Sequence, residues 1–206
     1  MSLQNKQLVI GLFGFGVVGE GLYKVLQQTP SLNAHIKKVC IKHPQKIRNA
    51  PKELFTTDAN ELLDDDSINI IIELIDDAEA AFIIAQRALN GKKALISASK
   101  KMIANHLAEI LALQVKNETP FLYEAACCAS IPVIRNLEEY YDNDLLQGIQ
   151  GIVNGSTNYI LSRIADDGLS FDHALKLAQE KGFAESNPKL DIEGIDAVNK
   201  LSILLT

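Results

Sequence analysis

Apolar and polar residues alternate along this chain in blocks that change period, and the changes mark its elements. The block 6–13 (Lys-Gln-Leu-Val-Ile-Gly-Leu-Phe) is a short continuous apolar run, as expected of a strand covered on both faces of a parallel sheet. From 17 to 27 the period becomes helical. Further strands are expected at 35–41, 68–75, 93–97 and 120–123. Between them, 57–63 reads as a short capped helix, 78–89 as an apolar-periodic helix stopped by Asn90-Gly91, and a further helix following 97–101 runs through Ile110 and Leu113. This alternation of strand and helix predicts an α/β fold with a doubly wound parallel sheet.

Beyond residue 124 the rhythm is lost. Small residues crowd 124–132, a helix is expected at 131–141 and a strand at 146–153. Helices follow at 157–166 and 171–181, the second with Ser170 as N-cap and Gly182 just past its end. Asn187-Pro188 then breaks regular structure. Apolar residues at 195, 198, 201 and 205 predict one face of a last helix. The change near 130 divides the chain into a first domain over 1–130 and a second over 131–206.

Chemistry enters first at Gly14-Phe15-Gly16-Val17-Val18-Gly19. A lone Gly-x-Gly-x-x-Gly is a weak signal, but here it follows a strand and opens a helix, which is the setting of a dinucleotide site. Gly14 permits the tight turn, Gly16 lets backbone approach a pyrophosphate, and Gly19 lets helix and strand pack closely. The phosphates would rest on the helix N-terminus at Val17 and Val18. In an NAD site an acid at the end of the second strand would hold the ribose hydroxyls, yet no acid occurs from 21 to 52. Lys42 stands there instead, among Lys37, Lys38, Lys46, Arg48 and Lys52, where a cation could meet a 2′-phosphate. NADP is therefore the expected cofactor, with NAD still open, and a solvated basic loop is the competing reading.

The second concentration of chemistry is late. Asp196 and Lys200 are four apart on the last predicted helix, so a carboxylate can orient an ammonium there. Such pairs on exposed helices are common and weak. The neighbourhood argues for more, because Glu185 and Asp191 lie in the preceding loop and Asn154-Gly155-Ser156-Thr157-Asn158-Tyr159 lies upstream.

The segment Gly-Ile-Val-Asn-Gly-Ser-Thr-Asn-Tyr-Ile-Leu (151–161), with Gly-Phe-Ala-Glu-Ser-Asn-Pro-(2)-Asp-(2)-Gly-Ile-Asp-(3)-Lys from 182 to 200, closely resembles the homoserine dehydrogenases. The resemblance runs over nearly the whole chain. It implies a Rossmann-like nucleotide domain followed by an α+β substrate and dimerisation domain, here incomplete, because the chain stops at Thr206 in the helix after Lys200. The activity it implies is hydride transfer between NAD(P)H and aspartate 4-semialdehyde, giving homoserine, in threonine, methionine and isoleucine biosynthesis.

By the same resemblance, Lys200 and Lys100 match two active-site lysines and Asp196 an orienting carboxylate. Glu185 and Asp191 match acidic positions of the substrate pocket, and Gly155 and Ser156 the turn that contacts substrate. Glu124, Cys127, Ala129 and Ile131 match a loop that holds a monovalent cation such as sodium, mainly through backbone carbonyls. A homodimer or higher homo-oligomer is implied. Two positions depart from the family: Asp76-Asp77 replaces a frequent Gly-Gly, and Ala129-Ser130 another. A non-catalytic nucleotide-binding or interaction module derived from the family is the alternative.

Bulk properties narrow the classes further. A net charge of −6 argues against a nucleic-acid partner, and no apolar run is long enough to span a membrane. The start lacks the plan of a secretory signal, so a cytoplasmic location is expected. Cys40, Cys127 and Cys128 cannot build a disulfide framework and have no zinc-site spacing.

Overall fold

The computed structural model describes residues 7–143 and 145–205, and the chain divides between Pro132 and Val133 into two compact units. The first holds a six-stranded sheet in the order β3-β2-β1-β4-β5-β6, with every pairing parallel. Its strands are β1 (Leu8–Phe13), β2 (Ala34–Cys40), β3 (Phe55–Thr56), β4 (Ile70–Glu73), β5 (Ala94–Ser97) and β6 (Phe121–Leu122). The helices are α1 (Val17–Gln28), α2 (Asn60–Leu63), α3 (Ala78–Asn90), α4 (Lys100–Asn117) and α5 (Glu124–Cys128).

Strand order reverses between β1 and β4, the place where a doubly wound sheet opens a crevice at its carboxyl edge. The central strands explain why the apolar runs are unbroken: Ile10, Leu12 and Phe13 of β1 and Ile71 and Ile72 of β4 are all buried. Pairing continues past the strand ends, Gly14 donating to the Cys40 carbonyl and Leu74 to that of Phe13, so the loops at the crevice remain fixed to the sheet. The short β3 was not expected from sequence. Two residues leave too little pattern to read.

α4 is interrupted at His106, whose φ of −129° is not helical. The His106 ring stacks on Phe82 of α3 at 3.8 Å and its Nδ1 lies 2.8 Å from a Glu109 carboxylate oxygen. These contacts fix the helix whose first residue is Lys100. The residues 124–128, expected as a small-residue loop, form the short α5, and Ala129 turns out of it at φ +53°.

The second unit contains α6 (Val133–Tyr140), α7 (Gly155–Asp167), α8 (Phe171–Glu180), α9 (Lys189–Ile192) and α10 (Ile195–Leu204). Its core is Ile160, Ala174, Ala178 and Ala184, against which Tyr159, Ile164, Leu169 and Leu175 pack. Ser170 caps α8 by accepting from the His173 N–H, and Gly182 leaves the helix at φ +75°, as the sequence predicts. The strand expected at 146–153 forms no ladder among the described residues. A strand needs a neighbour for its backbone N–H and C=O groups, and Leu146, Ile149 and Ile152 stand exposed without one. The apolar stripe expected on the last helix is likewise uncovered: Ile195, Val198, Leu201 and Leu205 are exposed, and the buried residue of α10 is Ile203.

Candidate active site

In the first unit the glycine loop lies where β1 hands over to α1. A side chain at Gly14 would put its Cβ 2.7 Å from the Leu74 carbonyl oxygen, and one at Gly19 would put it 2.5 Å from that of Gly14. The protein's own packing therefore requires both. Gly16 is different. Its φ of −87° and ψ of −156° suit any residue, and an added Cβ would meet no atom within 4 Å.

The space that Gly16 keeps clear is outside the chain, at the start of α1, where the first N–H groups have no carbonyl in the helix to receive them. Val17 is 93% exposed and Val18 is also open to solvent. Bare donors, a clear approach and the positive end of a helix dipole fit the pyrophosphate of a dinucleotide. Lys42, just beyond β2, is exposed. Lys100 is the first residue of α4, directly after the carboxyl end of β5.

Asp77 has a structural task. Its carboxylate accepts from the Ala80 N–H at 3.1 Å and caps α3, a contact that a glycine at this position could not make. Three residues before Asp76 is a group that sequence reading missed, Glu73 at the end of β4. It is 0% exposed, and its carboxylate accepts from the Ser97 hydroxyl at 2.5 Å and the Ile75 N–H at 2.6 Å. Ser97 Oγ in turn accepts from the Ser99 N–H at 3.1 Å, so Glu73 ties together the loops leaving β4 and β5. Burial pushes the Glu73 carboxyl above its ordinary value; the two hydrogen bonds oppose this and Asp76 adds to it. A single Glu ending an Ile-rich run was the available signal.

In the second unit the polar residues converge on Asn154. Its Oδ1 accepts from the Thr157 N–H at 2.8 Å and the Thr157 hydroxyl at 2.9 Å, capping α7. Its Nδ2 donates to Asp191 Oδ1 at 2.7 Å and to Asp196 Oδ2 at 3.1 Å. The same Asp196 oxygen lies 3.0 Å from Lys200 Nζ, which also donates to the Val153 carbonyl at 2.5 Å. Lys200 and Asp196 side chains are only 17% and 18% exposed, so this is a sheltered pair. An ammonium held in this way can donate to an oxygen on which negative charge is building.

Of the residues picked from sequence, Asp191, Asp196 and Lys200 are therefore brought together through Asn154, which sequence reasoning quoted but gave no role. The Asn-x-x-Thr cap was readable; its amide contacts, 37 and 42 residues away, were not. Gly155 opens α7 with no atom within 4 Å of where a Cβ would be. Ser156 donates its hydroxyl to the Phe183 carbonyl at 2.6 Å and so braces the turn. Glu185 is exposed, with its main-chain carbonyl accepting from Gln179 Nε2 at 3.1 Å.

Glu124 and Cys127 lie in α5, Ala129 at its exit and Ile131 just beyond, where its N–H donates to the Cys128 carbonyl at 3.0 Å. Among the described residues no group of three or more His, Cys, Asp or Glu could hold a metal ion, so a cation here would depend on main-chain oxygens. Nor is any described helix long and apolar enough to cross a membrane.

The two units match two halves of one family description. A family model described as "Homoserine dehydrogenase, NAD binding domain" matches residues 14–124, and one described as "Homoserine dehydrogenase" matches 132–206. The chain is 38% identical to a homoserine dehydrogenase of Helicobacter pylori over 97% of its own length and 48% of the relative's. Its fold is similar to the crystal structure of a homoserine dehydrogenase from Thiobacillus denitrificans, with a TM-score of 0.82 at 34% identity, over 97% of this chain and 48% of that one. A hyperthermophilic archaeal homoserine dehydrogenase solved in complex with NADPH has a TM-score of 0.80 at 25% identity, over 97% of this chain and 69% of its own. The chain spans about half the length of the curated relatives it matches. With both matched regions carrying the same description, the chain belongs to the homoserine dehydrogenase family.

Proposed function

We propose that the protein reduces aspartate 4-semialdehyde to homoserine with NAD(P)H, on the route to threonine, methionine and isoleucine. The observation that carries this reading is the cluster of Lys200, Asp196, Asn154 and Asp191. A carbonyl reduction needs a proton donor held beside the carbonyl oxygen, and a substrate with an ammonium group needs carboxylates. The cluster has both.

Bound nicotinamide supplies the hydride, and the chain's own residues supply position and charge. Lys200 donates a hydrogen bond to the carbonyl oxygen as it becomes an alkoxide and delivers the proton. Asp196 and the Val153 carbonyl hold the ammonium in place for that step. Asp191 and Glu185 receive the substrate's amino group. Gly155 leaves the turn open, and Ser156, its hydroxyl engaged with Phe183, meets the substrate through the main chain. Lys100 is assigned as the second lysine on the strength of the resemblance and its position at the carboxyl edge of the sheet.

Gly14, Gly16, Val17, Val18 and Gly19 hold the pyrophosphate. The acid-free basic segment after β2 supports NADPH over NADH, with Lys42 toward the 2′-phosphate, and a relative's structure with NADPH agrees in kind. We also assign a monovalent cation such as sodium to the main-chain oxygens of Glu124, Cys127, Ala129 and Ile131, and a homodimer to the uncovered apolar stripe of α10. We infer a cytoplasmic location, consistent with the absence of disulfides among the described residues. The alternative of a non-catalytic module drew on the Asp76-Asp77 pair, of which Asp77 now has its own explanation as a cap. The test is NADPH oxidation with aspartate 4-semialdehyde and identification of homoserine as product. Tight NADPH binding without turnover would instead favour the module.

A further inference from the structure

The basic residues between β2 and β3 are not equivalent. Lys42, His43 and Lys46 are exposed, whereas Arg48 is half-buried. Arg48 Nη1 donates to the His43 carbonyl at 2.9 Å and to the Lys46 carbonyl at 2.7 Å, closing a turn in which the Lys46 N–H also returns to the His43 carbonyl at 3.2 Å. The guanidinium carbon lies 5.5 Å from the centroid of the Phe55 ring. Arg48 Nε is shielded from solvent with no hydrogen-bond partner. This is a cation folded into its own loop, a cost that a merely solvated arginine would not bear.

Phe55 carries the connection inward. Its ring meets Phe15 edge to face at 5.1 Å and 81°, and Phe15 is the 7%-exposed residue between Gly14 and Gly16. The turn, Arg48, Phe55, Phe15 and the glycine loop thus form one continuous set of contacts. The same set leaves Lys42 and Lys46 exposed on a turn fixed relative to the proposed pyrophosphate cradle.

We propose that Arg48 is the positioning residue for cofactor choice: it holds the 42–46 turn so that Lys42 and Lys46 meet the phosphate on the adenosine ribose of NADPH, and it is not that phosphate's ligand. The inference rests on the NADPH preference proposed above. A lysine ammonium is a mobile point charge, and it discriminates well only if its backbone is already in position. Arginine's planar fork can serve two carbonyls while lying on a ring; lysine at 48 would keep the charge and lose that geometry.

The experiment is calorimetric titration of wild type, Arg48→Lys, Arg48→Ala and Phe55→Leu with NADPH and NADH, and with 2′,5′-ADP and 5′-AMP as probes of the adenosine end. Wild type should bind the 2′-phosphorylated member of each pair more tightly. Arg48→Lys and Arg48→Ala should each weaken NADPH by about tenfold while NADH stays within about twofold, because only the phosphate contact depends on the turn. Phe55→Leu, which keeps an apolar residue in the core, should shift the ratio the same way by about threefold. If Arg48→Lys keeps the wild-type ratio, charge alone is the cause and the positioning role is overturned. Equal losses for NADPH and NADH in all variants would mean general damage to the fold and also overturn it. If wild type itself shows no preference, the cofactor reading fails, and this inference with it.

Discussion

The glycine loop and the Asn154 cluster solve opposite problems. In the proposed reading the loop's functional surface is backbone, built from residues 14–19, and it works because atoms are missing there. The cluster's surface, in the same reading, is made of side chains brought together from as far apart as Asn154 and Asp196, 42 residues, and it works because each is present in a fixed place. One site should therefore be broken by adding atoms and the other by removing them.

Removing Lys200 should have the largest effect. If it stabilises and protonates the alkoxide, Lys200→Ala lowers kcat by roughly 10²–10⁴, with NADPH affinity nearly unchanged because the loop in the first unit is untouched. Lys200→Arg should rescue poorly, since a guanidinium is bulkier and too weak an acid to give up its proton at neutral pH. Asp196→Asn, which keeps the shape and loses the charge, should fall between Lys200→Ala and wild type. Steady-state kinetics would check all three, and near-normal turnover by Lys200→Ala would return the pair to a structural role.

Adding one methyl group at the loop should separate two kinds of glycine. Gly19→Ala forces a Cβ against the Gly14 carbonyl oxygen and should cost about 1–3 kcal/mol of stability, together with cofactor binding. Gly16→Ala meets nothing inside the protein, so stability should change by less than about 0.5 kcal/mol. It should nevertheless weaken NADPH by about tenfold, because the approach to the phosphates narrows. Chemical denaturation paired with calorimetry reads both quantities. Wild-type affinity in Gly16→Ala would mean that the cleared space is not where the cofactor lies.

The same contrast explains what was legible in the sequence. The first unit could be read almost whole, because buried parallel strands are short apolar runs and the glycine loop is a local motif on a strand-to-helix turn. β3 escaped, its two residues too few for a period, and α5 reads as a loop because its small residues carry no apolar stripe. In the second unit the caps at Ser170 and Gly182 were legible because a cap is decided within four residues; the one at Asn154 is as local but went unread. The segment 146–153 has the composition of a strand, but a strand is settled by its neighbour, which no local pattern reveals. Spacing alone could pair Asp196 with Lys200 and put Asp191 nearby, but their roles came only by resemblance. That Asn154 joins the carboxylates depends on a loop returning from residue 191, and nothing in Asn-Gly-Ser-Thr announces it.

Asn154 allows a finer dissection, because its cap and its amide bridge use different atoms. Asn154→Ala removes both and should cost about 1 kcal/mol of stability for the cap. Asn154→Ser restores a hydroxyl cap while still lacking the amide that reaches Asp191 and Asp196, so its stability should approach wild type. If the bridge sets the pocket, KM for aspartate 4-semialdehyde rises in both variants. Normal KM in Asn154→Ser would mean that Asn154 serves the helix alone.

The smallest effect expected is at Glu73, and it appears only as a function of pH. Its folded-state pKa is raised above the ordinary 4.5, chiefly by burial, so the folded protein holds this proton more tightly than the unfolded chain does. The contribution to stability is then fully present below about 4.5 and is lost as pH rises through the folded-state value, above which it is constant. Glu73→Gln has the shape and hydrogen-bonding groups of the protonated acid and does not titrate. Wild type and variant should therefore be alike in acid, with the variant gaining relative stability as pH rises, at a slope no steeper than one proton allows, about 1.4 kcal/mol per pH unit. Asp65 provides the opposite sign as an internal control: hydrogen bonds from Lys37 and Ser67 lower its carboxyl to about 2, so its contribution is present above 3.8 and fades as pH falls toward 2. Urea denaturation of wild type and Glu73→Gln from below 4.5 up to neutral pH checks the point. Parallel curves would mean that folding leaves the Glu73 pKa at its ordinary value, and that at neutral pH the tie between the β4 and β5 loops is made by a carboxylate rather than an acid.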